Sequence, residues 1–307
     1  MHGEKIGFLF NGQGTQYPGM GLDFYNHFND IKYLYNTFLD PHIKNLCFHG
    51  PKQELNKTQH AQVAIFMTSY VIATLLKKYK VIPVMMAGLS LGELTALTFA
   101  QALSLADGIA CVTKRGQIMA DALCNHDSSM MAVIGLEAST IQKICEKTAT
   151  VGVCEIATFS YPGQIVISGH KSALEIAKVE CLKHGAKRVI PLNVAGAFHS
   201  SLLNDATVIF EKALASIPFK NSQIPIVFNT TATIETDNLK NIVVKQLHSP
   251  IYFQQSIEFM INQGVDHFIE IGPGNILRGY VRKINPQIAC YSVNTVDDLQ
   301  RCVDYLR

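Results

Sequence analysis

VMMAGLSLGELTAL, residues 84–97, is the most informative stretch of this 307-residue chain. An apolar run ends in Gly-x-Ser-x-Gly and passes directly into a segment with a helical composition. This is how a serine is placed on a sharp turn between a strand and a helix, with its hydroxyl exposed. Gly88 and Gly92 allow the two elements to approach closely, because a glycine has no Cβ. The pattern favours a nucleophilic Ser90 over an ordinary serine in a glycine-rich turn.

The composition predicts a packed chain without a large charged surface. Apolar residues make up 48% and charged residues 16%, and the formal net charge is +2, which argues against nucleic acid as a partner. No apolar run approaches the roughly 18 residues of a membrane span, and residues 6–10 predict a first strand rather than a signal peptide. The eight cysteines are scattered without a Cys-x-x-Cys pair. They predict reduced, mostly buried thiols in a cytoplasmic protein, not metal ligands.

Helical and strand patterns alternate at both ends of the chain. Apolar spacing predicts a helix over 61–79, a buried strand over 81–87 in front of the serine turn, and a helix over 105–124. Beyond residue 200 the predicted elements are a helix, a strand, a helix and a strand, at 202–216, 224–229, 256–263 and 268–271. Such alternation is typical of an α/β domain.

The middle of the chain has a different order of elements. Strand patterns and helical patterns follow one another as βαββαβ, at 130–136, 139–148, 152–159, 164–168, 172–184 and 188–194. This order is the ferredoxin-like plan. We therefore predict an α/β protein in which a small ferredoxin-like α+β subdomain, residues 128–196, is inserted into a large α/β domain formed by residues 1–127 and 197–307.

A nucleophilic serine needs a base, and two of the eleven histidines are candidates. His199 lies in PLNVAGAFHS, residues 191–200, where a strand pattern passes through a turn into a helix. Catalytic groups are commonly displayed at such element ends. His248, in QLHSP at 246–250, is the main rival. From layout alone the choice between them stays open.

A glycine-rich loop, FNGQGTQ at residues 10–16, is a third candidate site. It follows the first predicted strand and could present backbone N–H groups and Gln13 to an anion. The loop lacks a full Gly-x-Gly-x-x-Gly and is not followed by Gly-Lys-Ser/Thr. Nucleotide binding is therefore disfavoured.

Taken together, the motifs of this chain resemble the malonyl-CoA:acyl carrier protein transacylases. The resemblance runs from about residue 5 to 295, in order and with matching spacings, through GQGTQ (12–16), GLSLGE (88–93), RGQxM (115–119), PGQ (162–164), AFHS (197–200) and GPG (272–274). It implies a large α/β-hydrolase-like domain with a parallel sheet that carries the inserted ferredoxin-like subdomain.

The resemblance implies a ping-pong acyl transfer. Ser90 attacks the thioester of malonyl-CoA, and His199 takes the proton of the serine as general base and returns it to the leaving thiol. A main-chain carbonyl orients the histidine in place of an aspartate, and the matching position here is Gln246. The backbone N–H groups of Leu91 and Gln13 are expected to bind the oxyanion.

Three further residues are expected to bind the substrate. The planar fork of Arg115 can hold the free malonyl carboxylate with two parallel charge-assisted hydrogen bonds. Without the resemblance, a helix arginine that caps carbonyls or pairs with Glu or Asp is the better interpretation. Phe198, directly before the histidine, resembles the malonyl-selective form of its motif, with a core side chain as the alternative. Gln59 is the third substrate-binding residue.

The chain departs from the family pattern at three places. Asn11 stands where a proline is common, His60 replaces a usual proline, and Ser160-Tyr161 occupies a stretch that often bears asparagine. These differences leave open a hydroxy- or amino-substituted malonyl unit as substrate.

The partners that the resemblance implies are malonyl-CoA and a holo acyl carrier protein, whose phosphopantetheine supplies the second thiol. No cofactor, nucleic acid or membrane is expected, and the family implies a monomer. Carrier proteins are acidic, so a basic rim is expected around the cleft. Its candidates, with a solvated surface as the alternative, are Lys187, Arg188, Arg278, Arg282 and Lys283.

Other functions of the same chain remain open at this point. An editing acyl hydrolase has no carboxylate for Arg115 to bind, and a non-catalytic carrier-binding subunit needs neither Ser90 nor His199. A generic α/β-hydrolase is disfavoured because no acid-bearing third triad motif follows in the expected order. A transacylase itself serves either fatty acid synthesis or, acting in trans, a polyketide assembly line, and GAFHS at 196–200 slightly favours the latter.

Overall fold

The computed structural model describes residues 5–306. Its strands are β1 (Ile6–Phe10), β2 (Met85–Gly88), β3 (Ser128–Ile134), β4 (Cys154–Tyr161), β5 (Gln164–His170), β6 (Arg188–Pro191), β7 (Ile226–Val227), β8 (His267–Ile271) and β9 (Ala289–Val293). Its helices are α1 (Leu22–His27), α2 (Asn29–Phe38), α3 (Pro41–His49), α4 (Lys52–Leu55), α5 (Thr58–Lys78), α6 (Leu91–Phe99), α7 (Leu105–Leu123), α8 (Ala138–Thr148), α9 (Lys171–Lys183), α10 (Asn204–Ala213), α11 (Leu239–Lys245), α12 (Phe253–Asn262), α13 (Ile276–Ile284) and α14 (Val296–Tyr305).

Five strands form a parallel sheet in the order β7-β2-β1-β8-β9. Phe10 at the end of β1 pairs with Gly88 on one side and with Ile271 on the other. The three central strands therefore end at the same edge of the sheet, where the loops that follow them converge. In open α/β sheets this carboxyl edge is where ligands bind.

Helices bury both faces of this sheet, and its central strands β1, β2 and β8 are buried throughout. Successive side chains of a strand point to opposite faces, and in β1 Phe8 and Phe10 belong to one core cluster while Leu9 belongs to another. Helix α5 packs in the first cluster with fifteen of its residues buried. The rigid sheet and this long buried helix form the support for the carboxyl edge.

The second sheet is antiparallel, with four strands in the order β4-β5-β3-β6. Its strands and the helices α8 and α9 follow one another as βαββαβ between residues 128 and 191, within the span predicted for the inserted subdomain. A separate core cluster, which includes Val133, Ile167 and Leu174, lies between this sheet and its helices. The predicted fold class, a parallel α/β domain with a ferredoxin-like insertion, is confirmed.

The two sheets are joined next to the carboxyl edge. Ile251 exchanges two backbone hydrogen bonds of 2.9 Å with β4, to Ala157 and Phe159. The ring of Phe159 stacks on that of Tyr252 at 5.1 Å between centroids. These contacts fix the subdomain over the ends of the parallel strands and leave a cleft between the two bodies.

Several predicted bounds differ from those observed. The strand predicted over 81–87 begins only at Met85, because Pro83 has no N–H for the ladder. The strand predicted over 224–229 is reduced to β7, and a 3₁₀ turn at Ser201–Leu203 precedes α10. Within residues 5–306, no helix is both long and apolar enough to cross a membrane.

Candidate active site

Ser90 occupies the turn between β2 and α6 in a strained conformation, with φ 53° and ψ −103°. Few residues other than glycine adopt a positive φ. The flanking glycines are required by close approach. A Cβ on Gly88 would lie 2.0 Å from the backbone of Gly92, and a Cβ on Gly92 would lie 2.2 Å from the carbonyl oxygen of Phe10. The geometry is that of a nucleophile elbow, with Ser90 half-buried at its tip.

Two amide side chains hold the backbone of Ser90 in this conformation. The N–H of Ser90 donates to Oδ1 of Asn229 at 2.7 Å. Its carbonyl oxygen accepts from Nε2 of Gln246 at 3.0 Å. Asn229 also donates from Nδ2 to the carbonyl oxygen of Gly88 at 2.7 Å. Strain at a functional residue persists only where the surroundings over-determine it, and these contacts do so here.

His199 lies beside the serine hydroxyl. Its Nε2 is 2.8 Å from Oγ of Ser90, and its Nδ1 is 2.9 Å from the main-chain carbonyl oxygen of Gln246. Because a carbonyl oxygen can only accept, Nδ1 carries the proton and Nε2 is left to accept the hydroxyl proton of Ser90. This is the arrangement of a general base with a fixed tautomer.

The environment of His199 favours its neutral form. The side chain is 5% exposed. Burial, together with the positive charge of Arg115, lowers the pKa of His199 to about 3, although hydrogen bonding to the backbone of Gln246 and Ser249 acts in the opposite direction. A neutral imidazole is the form that can accept a proton.

We expect the second-order rate constant for acylation of Ser90 by a thioester to stay level as the pH falls from about 7.5 to about 5, because this constant reports ionisations of the free enzyme. His199 then stays unprotonated over this range, since its pKa lies at about 3 instead of the usual 6.5. The measurement is the initial rate of this acylation as a function of pH, at a thioester concentration well below saturation. A fall in the rate centred near pH 6.5, the ordinary pKa of histidine, would contradict the lowered pKa of His199.

Arg115 is buried at 1% exposure and reaches the serine from α7. Its Nη2 donates to Oγ of Ser90 at 3.0 Å and to Oε1 of Gln246 at 2.9 Å. Its Nη1 donates to Oε1 of Gln62 at 2.9 Å. The Nε atom has no hydrogen-bond partner among the described residues. The guanidinium thus lies at the serine with donor capacity to spare.

No carboxylate within residues 5–306 lies at ion-pair distance from Arg115, and its hydrogen bonds all go to neutral side chains. Neither alternative for a helix arginine, carbonyl capping or pairing with Glu or Asp, therefore describes it. Burial lowers the pKa of Arg115 to about 10, which leaves it charged at neutral pH. A buried cation without a paired anion is costly, and an anionic ligand at this point would remove much of that cost.

A cavity of about 340 Å³ opens above these groups, between the two sheets. Ser90, Arg115 and His199 lie in its wall with Met119 and Phe198. Phe198 is 6% exposed and packs in the main core while it faces this space. The volume suits a small acyl group with part of the chain that carries it.

The two expected oxyanion donors come from different elements. Leu91 is the first residue of α6, and the N–H groups of a first helical turn have no acceptor within their helix. Gln13 lies in the loop after β1 and lines the cavity. Its side chain donates to Thr58 and accepts from Gln62, each at 3.2 Å, which fixes the loop.

Two of the sequence-based candidates lie away from this group. Gln59 does not line the cavity; its backbone packs against Gly116 and its side chain is half exposed. Gln62 follows three residues later, almost one helical turn, and contacts Arg115 instead. A role for Gln59 in substrate binding stays a prediction, and Gln62 is the residue of this helix that contacts Arg115. His248 binds Thr207 through Nδ1 at 3.0 Å and has no hydrogen bond to Ser90 among the described residues, so His199 and not His248 is the candidate base.

The departures from the family pattern are only partly at the site. Asn11 and Ser160 line the cavity, whereas His60 and Tyr161 do not. His60 instead contacts the carbonyl oxygen of Glu54 through Nδ1. Only Asn11 and Ser160 can therefore affect the selection of an acyl group directly.

Three buried side chains of the site were missed by the sequence analysis as functional residues: Gln62, Glu93 and Asn229. Gln62 links Gln13 to Arg115. Glu93 accepts from Gln246 at 2.8 Å and from the N–H of Asn229 at 2.6 Å. The one usable signal was for Asn229, which ends a predicted strand of the parallel sheet and so lies at the carboxyl edge.

The candidate residues of the basic rim are all exposed. Arg278, Arg282 and Lys283 lie on α13, whose residues Leu277 and Tyr280 line the cavity. Lys187 and Arg188 lie at the start of β6 in the subdomain. Basic side chains thus stand on both bodies that border the cleft.

Comparison with known proteins gives one consistent result. Residues 7–298 match the family model of the acyl transferase domain. The malonyl CoA-acyl carrier protein transacylase of Bacillus subtilis is 36% identical over 99% of this chain and 98% of its own length.

Solved structures agree with this result. The malonyl CoA-acyl carrier protein transacylase of Clostridium perfringens superposes with a TM-score of 0.95 and 37% identity, over 99% of this chain and 97% of that one. A malonyl-transacylase solved in complex with its type II polyketide acyl carrier protein superposes with a TM-score of 0.94 and 31% identity, over 98% of this chain and 100% of that one.

Proposed function

This chain belongs to the malonyl CoA-acyl carrier protein transacylases, which are acyltransferases, and we propose that it transfers malonyl groups by a ping-pong reaction through an acyl-Ser90 intermediate. The observation that carries the proposal is the juxtaposition of Ser90 Oγ with Nε2 of His199 at 2.8 Å and with Nη2 of Arg115 at 3.0 Å. The hydroxyl group of Ser90 thus contacts both a base, His199, and a cation, Arg115, that is not paired with a carboxylate of the described residues.

In the first half-reaction Oγ of Ser90 attacks the thioester carbonyl of malonyl-CoA. Nε2 of His199 takes the hydroxyl proton as the oxygen–carbon bond forms. When the carbon–sulfur bond breaks, His199 returns this proton to the sulfur, and free coenzyme A leaves. The carbonyl of Gln246 stabilises the imidazolium through Nδ1–H, the part that an aspartate plays in a catalytic triad.

The second half-reaction runs the same steps in reverse with a different thiol. His199 deprotonates the phosphopantetheine thiol of a holo carrier protein, whose sulfur attacks the malonyl-Ser90 ester. The proton then passes to Oγ of Ser90 as the ester bond breaks. In both halves the N–H groups of Leu91 and Gln13 would receive the oxyanion, and loss of one such donor typically costs about 3–4 kcal/mol. The thiol that receives the malonyl group is thus part of the carrier protein and not of this chain.

Arg115 gives the proposed enzyme its preference for a dicarboxylic acyl group. The malonyl carboxylate would supply the anion that the guanidinium lacks, in a water-poor cavity where charge-assisted hydrogen bonds are strong. An acetyl group would leave the guanidinium without that partner. The same contact disfavours the editing hydrolase, whose acyl substrates have no second carboxylate.

Phe198 is proposed to exclude a branched acyl group by its volume. We expect Phe198→Ala to raise the kcat/KM for methylmalonyl-CoA relative to malonyl-CoA by about tenfold or more, since one methyl group is worth about 1–3 kcal/mol. Competition between the two substrates in one assay, read by mass spectrometry of the carrier, measures the ratio. Because Phe198 also packs in the core, the variant should lose about 3–5 kcal/mol of stability, and a melting curve checks its folding. An unchanged ratio in a folded variant would assign Phe198 to the core alone.

The carrier protein is proposed to dock over the cleft, against the basic side chains of α13 and β6. An acidic partner is steered to such a surface, and the steering weakens as salt rises. We propose a monomer as the working form, on the family resemblance alone. We propose that the carrier belongs either to a fatty acid pathway or to a polyketide pathway. The carrier protein that the enzyme accepts then decides which of the two pathways it serves.

The test separates the two half-reactions. The protein is incubated with malonyl-CoA, freed of coenzyme A by gel filtration, and weighed intact. A malonyl adduct mapped to Ser90, which then passes to holo carrier protein added alone, supports the ping-pong scheme. Transfer that requires both substrates together contradicts it. Carriers of fatty acid and polyketide systems are compared at two salt concentrations, and only the carrier step should slow as salt rises.

A further inference from the structure

Glu93 is a buried carboxylate that the steps above do not use. It lies near the start of α6, three residues after Ser90, and is 0% exposed. Within the described part of the chain no Lys or Arg is at ion-pair distance from it. Burial of an unpaired carboxylate costs several kcal/mol. Its retention beside the serine turn therefore calls for an explanation.

Both carboxylate oxygens of Glu93 accept a hydrogen bond. Oε1 accepts from Nε2 of Gln246 at 2.8 Å, and Oε2 accepts from the N–H of Asn229 at 2.6 Å. A carboxyl group in which each oxygen accepts one hydrogen bond and neither donates has the pattern of an ionised carboxylate. Burial raises the pKa of Glu93, whereas these two hydrogen bonds and the charge of Arg115 favour its ionised form.

The two residues that Glu93 binds are those that hold the strained serine. Asn229 accepts from the N–H of Ser90, and Gln246 donates to its carbonyl oxygen. Glu93 thus acts on both ends of the Ser90 backbone, through the side chain of Gln246 and through the main chain of Asn229, whose side chain accepts from Ser90. This gives the carboxylate control of the nucleophile without contact to any reacting atom.

The same carboxylate fixes the orientation of Arg115. The amide of Gln246 directs Nε2 to Glu93 and Oε1 to Nη2 of Arg115, at 2.9 Å. If the amide turned over, its NH₂ group would face the guanidinium, donor against donor. A carboxylate at position 93 prevents that, because it can only accept.

We propose that Glu93 is a positioning residue. Through Asn229 and Gln246 it fixes the conformation of Ser90 and the orientation of the Arg115 guanidinium, the clamp for the malonyl carboxylate. The inference rests on the proposed function of Ser90 and Arg115. Glu93→Gln tests it with almost no change of shape. A glutamine offers one acceptor oxygen to the two donors, so either Gln246 or Asn229 must lose its partner.

In Glu93→Gln we expect single-turnover acylation of Ser90 by malonyl-CoA to slow about 100-fold, which is typical of a misplacement of about 1 Å. The half-saturating malonyl-CoA concentration should rise about tenfold, because the clamp loosens and about 1.4 kcal/mol of binding is lost. A fluorophosphonate that labels Ser90 but has no carboxylate provides a separate readout. Its labelling should slow without a change in its half-saturating concentration, since it makes no use of Arg115.

The matched control is Thr95→Val, an isosteric change in the same buried helix at a hydroxyl group without a hydrogen-bond partner in the described residues. It should leave the rate of Ser90 acylation and the half-saturating malonyl-CoA concentration unchanged. A second variant, Gln246→Met, keeps the main-chain carbonyl that orients His199 but removes the amide link. It should reproduce both effects, and unchanged kinetics in this variant overturn the inference even if Glu93→Gln does not fold.

The outcomes separate this inference from the proposed function. A folded Glu93→Gln or Gln246→Met protein with the rate and half-saturation of the unmodified protein overturns the inference alone. A lower melting temperature with unchanged kinetics does the same, because it shows a purely structural role. If the unmodified protein forms no adduct at Ser90, the proposed function itself is wrong.

Discussion

Ser90→Ala should abolish the malonyl adduct and lower carrier malonylation by about 10⁴-fold or more, the scale of loss when an enzyme loses its nucleophile. The reason lies in the geometry. His199 directs its free nitrogen to Oγ of Ser90, and the proposed oxyanion donors would act on a carbonyl attached to that oxygen. Without the oxygen, a bound thioester meets only water, which is neither oriented nor activated.

The measurement is intact-protein mass spectrometry after brief exposure to malonyl-CoA, together with the rate of carrier labelling. Ser216→Ala, at an exposed serine on the surface, is the matched control and should load as the unmodified protein does. Loading that persists in Ser90→Ala would place the acyl group on another residue. Since the variant only removes a half-buried hydroxyl, its melting temperature should stay close to that of the parent.

Arg115→Met should remove the preference for malonyl over acetyl groups, which we expect to be about 10⁴-fold in the unmodified protein. Methionine fills most of the arginine volume, so the cavity keeps its shape while the guanidinium is lost. Acylation by malonyl-CoA should fall by about 10⁴-fold, because the malonyl carboxylate is then buried without a partner. Acylation by acetyl-CoA should not fall, since it gains nothing from the cation.

Arg115→Lys distinguishes the shape of the clamp from its charge. A lysine keeps the positive charge but not the planar fork, so we expect an intermediate loss for malonyl-CoA of about 10–100-fold. Lys114→Ala removes a neighbouring charge that contacts the carbonyl oxygen of Ala213, away from the cavity. This variant should acylate at the parent rate with either substrate. Equal losses for malonyl-CoA and acetyl-CoA in Arg115→Met would show that the arginine supports the fold and not the selectivity.

The features predicted from the sequence were those coded by neighbouring residues. The serine turn needs Gly88 and Gly92 on either side of Ser90, and that spacing can be seen in the chain. The order βαββαβ likewise follows from local periodicities. The choice of His199 over His248 did not follow from layout. It rested on the family resemblance, and the contact of 2.8 Å to Ser90 agrees with it.

Gln59 and Gln62 illustrate what such reasoning does not resolve. Gln59 and Gln62 lie three residues apart on α5, and both carry the same amide. Which of them reaches Arg115 depends on the rotation of the helix against α7, and that rotation is set by how the apolar side chains of both helices pack. Helical periodicity defines a face of the helix to within about one residue per turn, which is too coarse to place one hydrogen bond.

By itself, the sequence determined the nucleophile elbow, the two kinds of sheet and the membership of the chain in its family, because each is carried by residues close together or by motifs in a fixed order. Only the tertiary structure decided what holds the elbow in place. Asn229 is 139 residues from Ser90, and Gln246 is 156 residues from it. Contacts across such separations arise when parallel strands place their carboxyl ends at one edge, and no local pattern records them.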